Sequence, residues 1–254
     1  PRSTRKESSA ASDVYKRQVM GGAAIENEVF CRAGMQIFRQ CMPLMVGTDG
    51  FLRERSTHYQ LIVTNWILDA WQFADVYYGT QHLDTKYLED FAQRMTTAAS
   101  MLCSSDRRLL ALIGDISPDT SPHNSSLRLS RLYPAYWPLL NVCDPFLGIK
   151  EDWFKISEAN QLVLGNFPAG IYPSKFPTHG HSDYTGFVWI YEGIEVLADT
   201  GRYRYTPDTV SLLQKSALGH NVLLVDGFSP FCESMVVNGQ WCPQPYATAN
   251  LESW

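Results

Sequence analysis

Phe187-Val188-Trp189-Ile190-Tyr191-Glu192-Gly193-Ile194-Glu195-Val196-Leu197-Ala198-Asp199 alternates side chains with a period of two, breaks at Glu192-Gly193 and returns through a second apolar run. That period places successive side chains on opposite faces of a strand, and Glu192-Gly193 reads as a tight turn. The stretch predicts a β-hairpin within an antiparallel sheet. Val222-Leu223-Leu224-Val225, ahead of Asp226-Gly227, reads as another strand and turn.

Working back from the hairpin, the period of two begins after about Asp152. From about Gly21 to Asp106 the apolar spacing is helical: Val29, Ala33, Ile37 and Cys41 form one stripe, Tyr59, Ile62, Trp66, Ala70 and Ala74 a second, and Tyr87, Phe91, Met95 and Leu102 a third. Asp84 and Thr85 offer an N-cap for the third. Residues 113–150 collect turn formers, as in Gly114-Asp115-Ile116-Ser117-Pro118-Asp119, and read as a connection. Helices followed by strands, rather than alternating with them, predict an α+β multidomain chain: a helical domain over 19–150 and a sheet domain over 151–254.

The chain starts at Pro1 rather than Met and ends at Trp254 without a terminating pattern, and it reads as an internal fragment. Pro1 to Gln18, rich in Ser, Arg and Lys, resembles sequencing-adapter or vector read-through and is set aside as a non-native or disordered leader. Over 254 residues, 21 Lys+Arg against 26 Asp+Glu give a net charge of -5, which gives no overall reason to expect nucleic acid or an acidic membrane surface as partner. No apolar run approaches the roughly 20 residues of a membrane-spanning helix. The 6 cysteines form no C-x-x-C pair; Cys232 and Cys242 could bridge two loops in an oxidising compartment, but buried thiols are the simpler reading for most.

Chemistry concentrates in two places. Thr178-His179-Gly180-His181-Ser182-Asp183 enters the first strand of the hairpin, and histidines at i and i+2 of an extended segment face one side. The hairpin returns Asp199 to the same sheet edge, and His220-Asn221 starts the next strand. Two imidazoles and a carboxylate, His181, Asp199 and His220, suit zinc. The second place is Asp49-Gly50-Phe51-Leu52-Arg53-Glu54-Arg55-Ser56-Thr57-His58-Tyr59. Ser56 can cap a helix with Tyr59 in its first turn, where the positive end of the helix dipole favours phenolate.

These runs, Asp-Gly-x-x-x-Glu-x-Ser-x-x-Tyr at 49–59, His-Gly-His-x-Asp at 179–183, Asp-x-Gly-x-Tyr at 199–203 and Ser-x-x-x-His-Asn at 216–221, together resemble the heparinase II/III-like polysaccharide lyases. The resemblance implies the C-terminal part of an (α/α) toroid followed by the N-terminal part of an antiparallel β-sandwich. It implies β-elimination on a uronic-acid-containing acidic polysaccharide, outside the cell or in the periplasm. By position, Tyr59 and His179 match the family's catalytic tyrosine and histidine, and His181, Asp199 and His220 its structural zinc ligands. Glu54, Arg202, Tyr203 and Lys215 are candidate substrate-binding residues, and Arg53, Arg55 and Arg204 add positive charge nearby in sequence. No Asn-His dipeptide precedes Tyr59, so the group that neutralises the substrate carboxylate is expected upstream. Leu213, Gln214 and Lys215 replace an aromatic pair and an arginine of many members, which points to a heparinase III-like Tyr/His arrangement.

Two rival functions share these residues. His-x-His-x-Asp also occurs in metal-dependent hydrolases of the metallo-β-lactamase type, although Tyr184 here stands where those enzymes carry another histidine. A non-catalytic glycan-binding or envelope-polysaccharide assembly protein could keep the scaffold, with Trp189, Tyr203 and Tyr205 stacking on sugars.

Overall fold

A computed structural model describes residues 7–103, 110–117, 121, 148–150, 153–158, 160–166, 179–183, 185–202, 208–228, 236–237 and 240–241. Four helices come first: α1 (Glu7–Ala24), α2 (Glu28–Met45), α3 (Thr57–Tyr78) and α4 (Leu83–Met101). Strands β1 (Gly148–Lys150), β2 (Trp153–Glu158), β3 (Gln161–Asn166), β4 (Phe187–Tyr191) and β5 (Ile194–Leu197) then form one antiparallel sheet in the order β1-β2-β3-β4-β5. A short helix α5 (Thr209–Lys215), a 3-10 turn (Ala217–Gly219) and a small pair, β6 (Val236–Val237) and β7 (Gln240–Trp241), follow. Helices therefore precede an antiparallel sheet, as the change of period implies. No described helix is long and apolar enough to cross a membrane.

Helix α3 is buried on most sides, so no single stripe marks its inner face: Leu61, Val63, Ile67, Leu68, Ala70 and Ala74 lie in the helical core, while Tyr59 and Trp66 of the expected stripe are partly buried against it. In α4, Phe91 and Met95 join that core as the spacing predicts. The face of α2 differs from expectation. Its buried residues are Cys31, Gly34, Met35, Phe38 and Met42, while Val29 is 78% exposed. The helix carries apolar residues on two sides, and the side taken is the one on which Phe38 meets Tyr87 and Phe91 edge-on, with centroids 5.8 and 5.4 Å away.

His82, not Asp84 or Thr85, caps α4, its Nδ1 accepting from the Asp84 backbone N–H. Helix α1 starts at Glu7, inside the stretch set aside as a leader without helical period. Glu192 and Gly193 both take positive φ, 48° and 76°, as the turn of a two-residue hairpin requires. Val222–Leu224 form no strand; only the turn at Asp226-Gly227 appears, closed by a bridge between Val225 and Phe228.

A second apolar cluster joins the helices to the sheet. Phe51, Ala98, Leu102, Ala111 and Ile113 pack with Trp153, Leu162, Leu164, Val188 and Ile190, and Phe51 stacks on Trp153 at 5.8 Å. Register explains the sheet's share: Leu162 pairs with Ile190 and Leu164 with Val188, so all four side chains face the helices. This apolar junction carries the segment 110–117 between the start of α3 and the start of β4.

Candidate active site

Ser56 builds the first wall. As N-cap of α3, its Oγ accepts from the Tyr59 N–H at 3.0 Å and donates to the Asp115 carbonyl at 2.7 Å. Thr57 adds two backbone links to Ile113: its N–H donates to the Ile113 carbonyl and its Oγ1 accepts from the Ile113 N–H, both at 3.0 Å. The next residue in the helix, His58, accepts from the Ser117 N–H at 3.0 Å through Nδ1, and burial pushes its pKa down to about 4. The segment 113–117 is thereby fixed along the N-terminal turn of α3.

From its other side the same segment reaches the sheet. The Asp115 N–H donates to the His179 carbonyl at 2.8 Å and the Ile116 N–H to the Arg202 carbonyl at 2.7 Å. Gly114 makes this approach possible. Its φ is +80°, and a Cβ there would lie 2.6 Å from the Arg55 carbonyl oxygen and 2.7 Å from that of His179.

These links bring Tyr59 and His179 face to face, with ring centroids 3.8 Å apart and planes 7° from parallel. His179 is buried, its Nδ1 3.1 Å from Asp115 Oδ2 and its Nε2 3.8 Å from Glu54 Oε2. Glu54 is also buried, and its Oε1 has no hydrogen-bond partner among the described residues. Asp115 turns its second oxygen to His181, with Oδ1 2.8 Å from Nε2. Burial alone would raise the Asp115 pKa, but the hydrogen bonds from His179 and His181 outweigh it and hold the carboxyl well below the usual range.

His181, Asp199 and His220 come together on the far side of Asp115, each offering a ligand atom within 4.8 Å of the others. The His220 Nδ1 lies 2.6 Å from Asp199 Oδ2, and this carboxylate raises the His220 pKa against the lowering effect of burial. Nδ1 of His181 and Nε2 of His220 are buried with no hydrogen-bond partner among the described residues. Two such imidazole nitrogens beside a carboxylate fit a divalent ion of the zinc type. Asn221 sets this corner by pairing with the first residue of β4, accepting from the Phe187 N–H at 2.9 Å and donating to its carbonyl at 2.6 Å. Nearby Asp183 is pushed up to about 7, first by burial and also by Asp199.

The remaining candidates are placed differently. Arg202 is only 4% exposed, its Nε donating to Ser211 Oγ at 3.0 Å and its Nη1 3.6 Å from Asp115 Oδ1, so it faces the protein rather than an open cleft. Arg55, 1% exposed, is buried as well, whereas Arg53 is exposed. Lys215 is half-buried, and its carbonyl accepts from the Ser182 N–H at 3.0 Å. Tyr203, Arg204, Tyr205, Tyr184, Cys143, Cys232 and Cys242 lie outside the described residues; Cys31, Cys41 and Cys103 form no disulfide among the described residues. Asp115, at the centre of the site, carried no signal in the sequence beyond that of a turn former.

Comparison with known proteins bears on the fold. A family model described as "Heparinase II/III-like, C-terminal" matches residues 153–247. The solved Heparinase III-BT4657 gene product superposes with a TM-score of 0.68 at 18% identity, covering 85% of this chain and 36% of that one. Heparan sulfate lyase HepC from Pedobacter heparinus gives 0.64 at 14%, covering 85% and 37%, and a further heparinase III gives 0.66 at 11%, covering 85% and 38%. This chain thus spans a little over a third of their length, and at these identities the likeness is one of fold. No curated protein matches the chain by sequence. Residues 153–247 carry a heparinase II/III-like C-terminal domain, and the helices before it are arranged as in part of heparinase III.

Proposed function

We propose that the chain supplies the Tyr/His part of the active site of a polysaccharide lyase that cleaves a uronic-acid-containing glycan by β-elimination. In that reaction the C5 proton passes to a base, the C4–O bond breaks as the C4=C5 double bond forms, and the leaving oxygen takes up a proton. Tyr59 and His179 are the groups that exchange these protons. The observation that carries the reading is the 3.8 Å stacking of Tyr59 on a buried His179 oriented by Asp115. His179 is buried, and the capped first turn of α3 places Tyr59 at the positive end of the helix dipole.

Glu54, Lys215 and Tyr203 are the candidate substrate-binding groups on this reading. Arg202 serves instead to hold Asp115. His181, Asp199 and His220 hold zinc, which supplies a structural tie between the start of β4, the end of β5 and the segment after the 3-10 turn. The helices are part of an (α/α) toroid and the sheet part of a β-sandwich. A polymer substrate of this kind places the protein in the periplasm or outside the cell. Only one histidine of the His-x-His run joins the cluster, while His179 turns to Tyr59, Glu54 and Asp115. That division favours the lyase over a metal-dependent hydrolase.

The test is to incubate the full-length protein with heparan sulfate, other glycosaminoglycans and alginate, and to follow the ultraviolet absorbance of unsaturated uronate. A product with the double bond supports the proposal. Binding without turnover would favour the non-catalytic glycan-binding alternative, and products lacking the double bond would favour hydrolysis.

A further inference from the structure

One carboxylate, from outside both histidine motifs, touches both parts of the site. Asp115 presents Oδ2 to Nδ1 of His179 at 3.1 Å and Oδ1 to Nε2 of His181 at 2.8 Å. An ionised carboxylate only accepts hydrogen bonds, so each nitrogen facing it carries the ring proton. In the neutral imidazoles the lone pair then lies on the opposite nitrogen. For His179 that is Nε2, on the Glu54 side; for His181 it is Nδ1, the buried nitrogen without a partner among the described residues.

Asp115 is itself tightly held. Its N–H and carbonyl are bonded to His179 and Ser56, Arg202 stands 3.6 Å from Oδ1, and the preceding Gly114 is packed so closely that an added Cβ would lie 2.6 Å from the Arg55 carbonyl oxygen. We propose that Asp115 is a positioning residue that fixes the tautomers of His179 and His181 together. One carboxylate thereby sets the proton-accepting nitrogen at the acid–base site and the metal-facing nitrogen at the cluster. A carboxylate behind a ligating histidine orients the ring and strengthens it as a ligand, and here the same group also orients a residue of the acid–base pair. The proposal rests on the lyase reading for the use made of His179, but the tautomers are measurable without it.

The experiment is long-range proton–nitrogen correlation NMR of the metal-free chain labelled at histidine, with signals assigned by His179→Gln and His181→Gln. The expected spectra show His179 protonated on Nδ1 and His181 on Nε2; the opposite tautomer at either residue overturns the proposal. In Asp115→Asn the carboxamide offers one acceptor and one donor group, so it cannot accept from both rings. One histidine should reverse its tautomer in that variant. Reversal at His181 should weaken zinc binding roughly 10- to 100-fold. Reversal at His179 should lower kcat of the full-length protein while leaving KM within about threefold. Retention of both tautomers in a folded Asp115→Asn chain overturns the proposal, and if the variant does not fold, the wild-type spectra decide alone. Expected tautomers in a protein with no lyase activity would sink the lyase reading and leave the role of Asp115 standing.

Discussion

Gly114→Ala is the most informative single perturbation of the scaffold. The residue sits at φ +80°, and an added Cβ would lie 2.6 and 2.7 Å from two backbone carbonyl oxygens, those of Arg55 and His179. The left-handed conformation costs about 1–2 kcal/mol for a residue with a side chain. Overpacking against atoms that cannot rotate away adds about 1–3 kcal/mol. A loss of about 3 kcal/mol corresponds to a fall in Tm of roughly 6–12 °C for a chain of this size. Gly227→Ala is the matched control, since Gly227 has φ +76° with nothing within 4 Å of the added Cβ. It should lose only the conformational part, about 1 kcal/mol. Thermal and urea unfolding of the two variants measure the difference. Equal losses, within about 0.5 kcal/mol, would refute the claim that the approach of three backbone segments at Gly114 assembles the site.

Other expectations follow from the same contacts. Ser56→Ala removes a helix cap and leaves the Asp115 carbonyl without its hydroxyl donor; a destabilisation of about 2 kcal/mol is expected in urea unfolding. The His58 pKa of about 4 lies below the unfolded value of 6.5, so the unfolded chain takes up the proton first. Stability from this group is full above pH 6.5 and falls as pH drops towards 4, by about 3 kcal/mol in all. His58→Asn, which keeps an acceptor for the Ser117 N–H, should flatten that part of the stability–pH curve. Zinc at 100 times its Kd should stabilise the chain by about 2.7 kcal/mol, and a chelator or His220→Gln should abolish the rise in Tm.

Much of the site was legible because its parts are local. Histidines two residues apart before a strand, a hairpin that returns Asp199, and a serine cap three residues before Tyr59 are short-range patterns that the backbone period carries with it. Asp115 was not legible: its partners lie 64 and 66 residues away, and Gly114-Asp115 resembles any turn when read alone. The burial of Arg55 and Arg202 was not legible for the same reason, since proximity in sequence to site residues does not say whether a guanidinium faces solvent or the protein. The α2 face failed because Val29, Ala33, Ile37 and Cys41 keep as regular a spacing as Cys31, Met35, Phe38 and Met42, and only packing against Tyr87 and Phe91 decides between them. Tertiary contacts settled what periodicity left open.

The most direct measurement is the rate at which the full-length protein and its Tyr59→Phe variant form unsaturated uronate from the uronate polymer that the wild type cleaves fastest, under matched conditions, with folding checked by circular dichroism. The phenylalanine keeps the ring stacked on His179 and removes only the hydroxyl. The expected result is product from the wild type and a kcat lower by at least about 100-fold in the variant, as loss of an acid–base group implies. Equal rates for the two proteins would contradict the assignment of Tyr59 to proton transfer and, with it, the reading of this site.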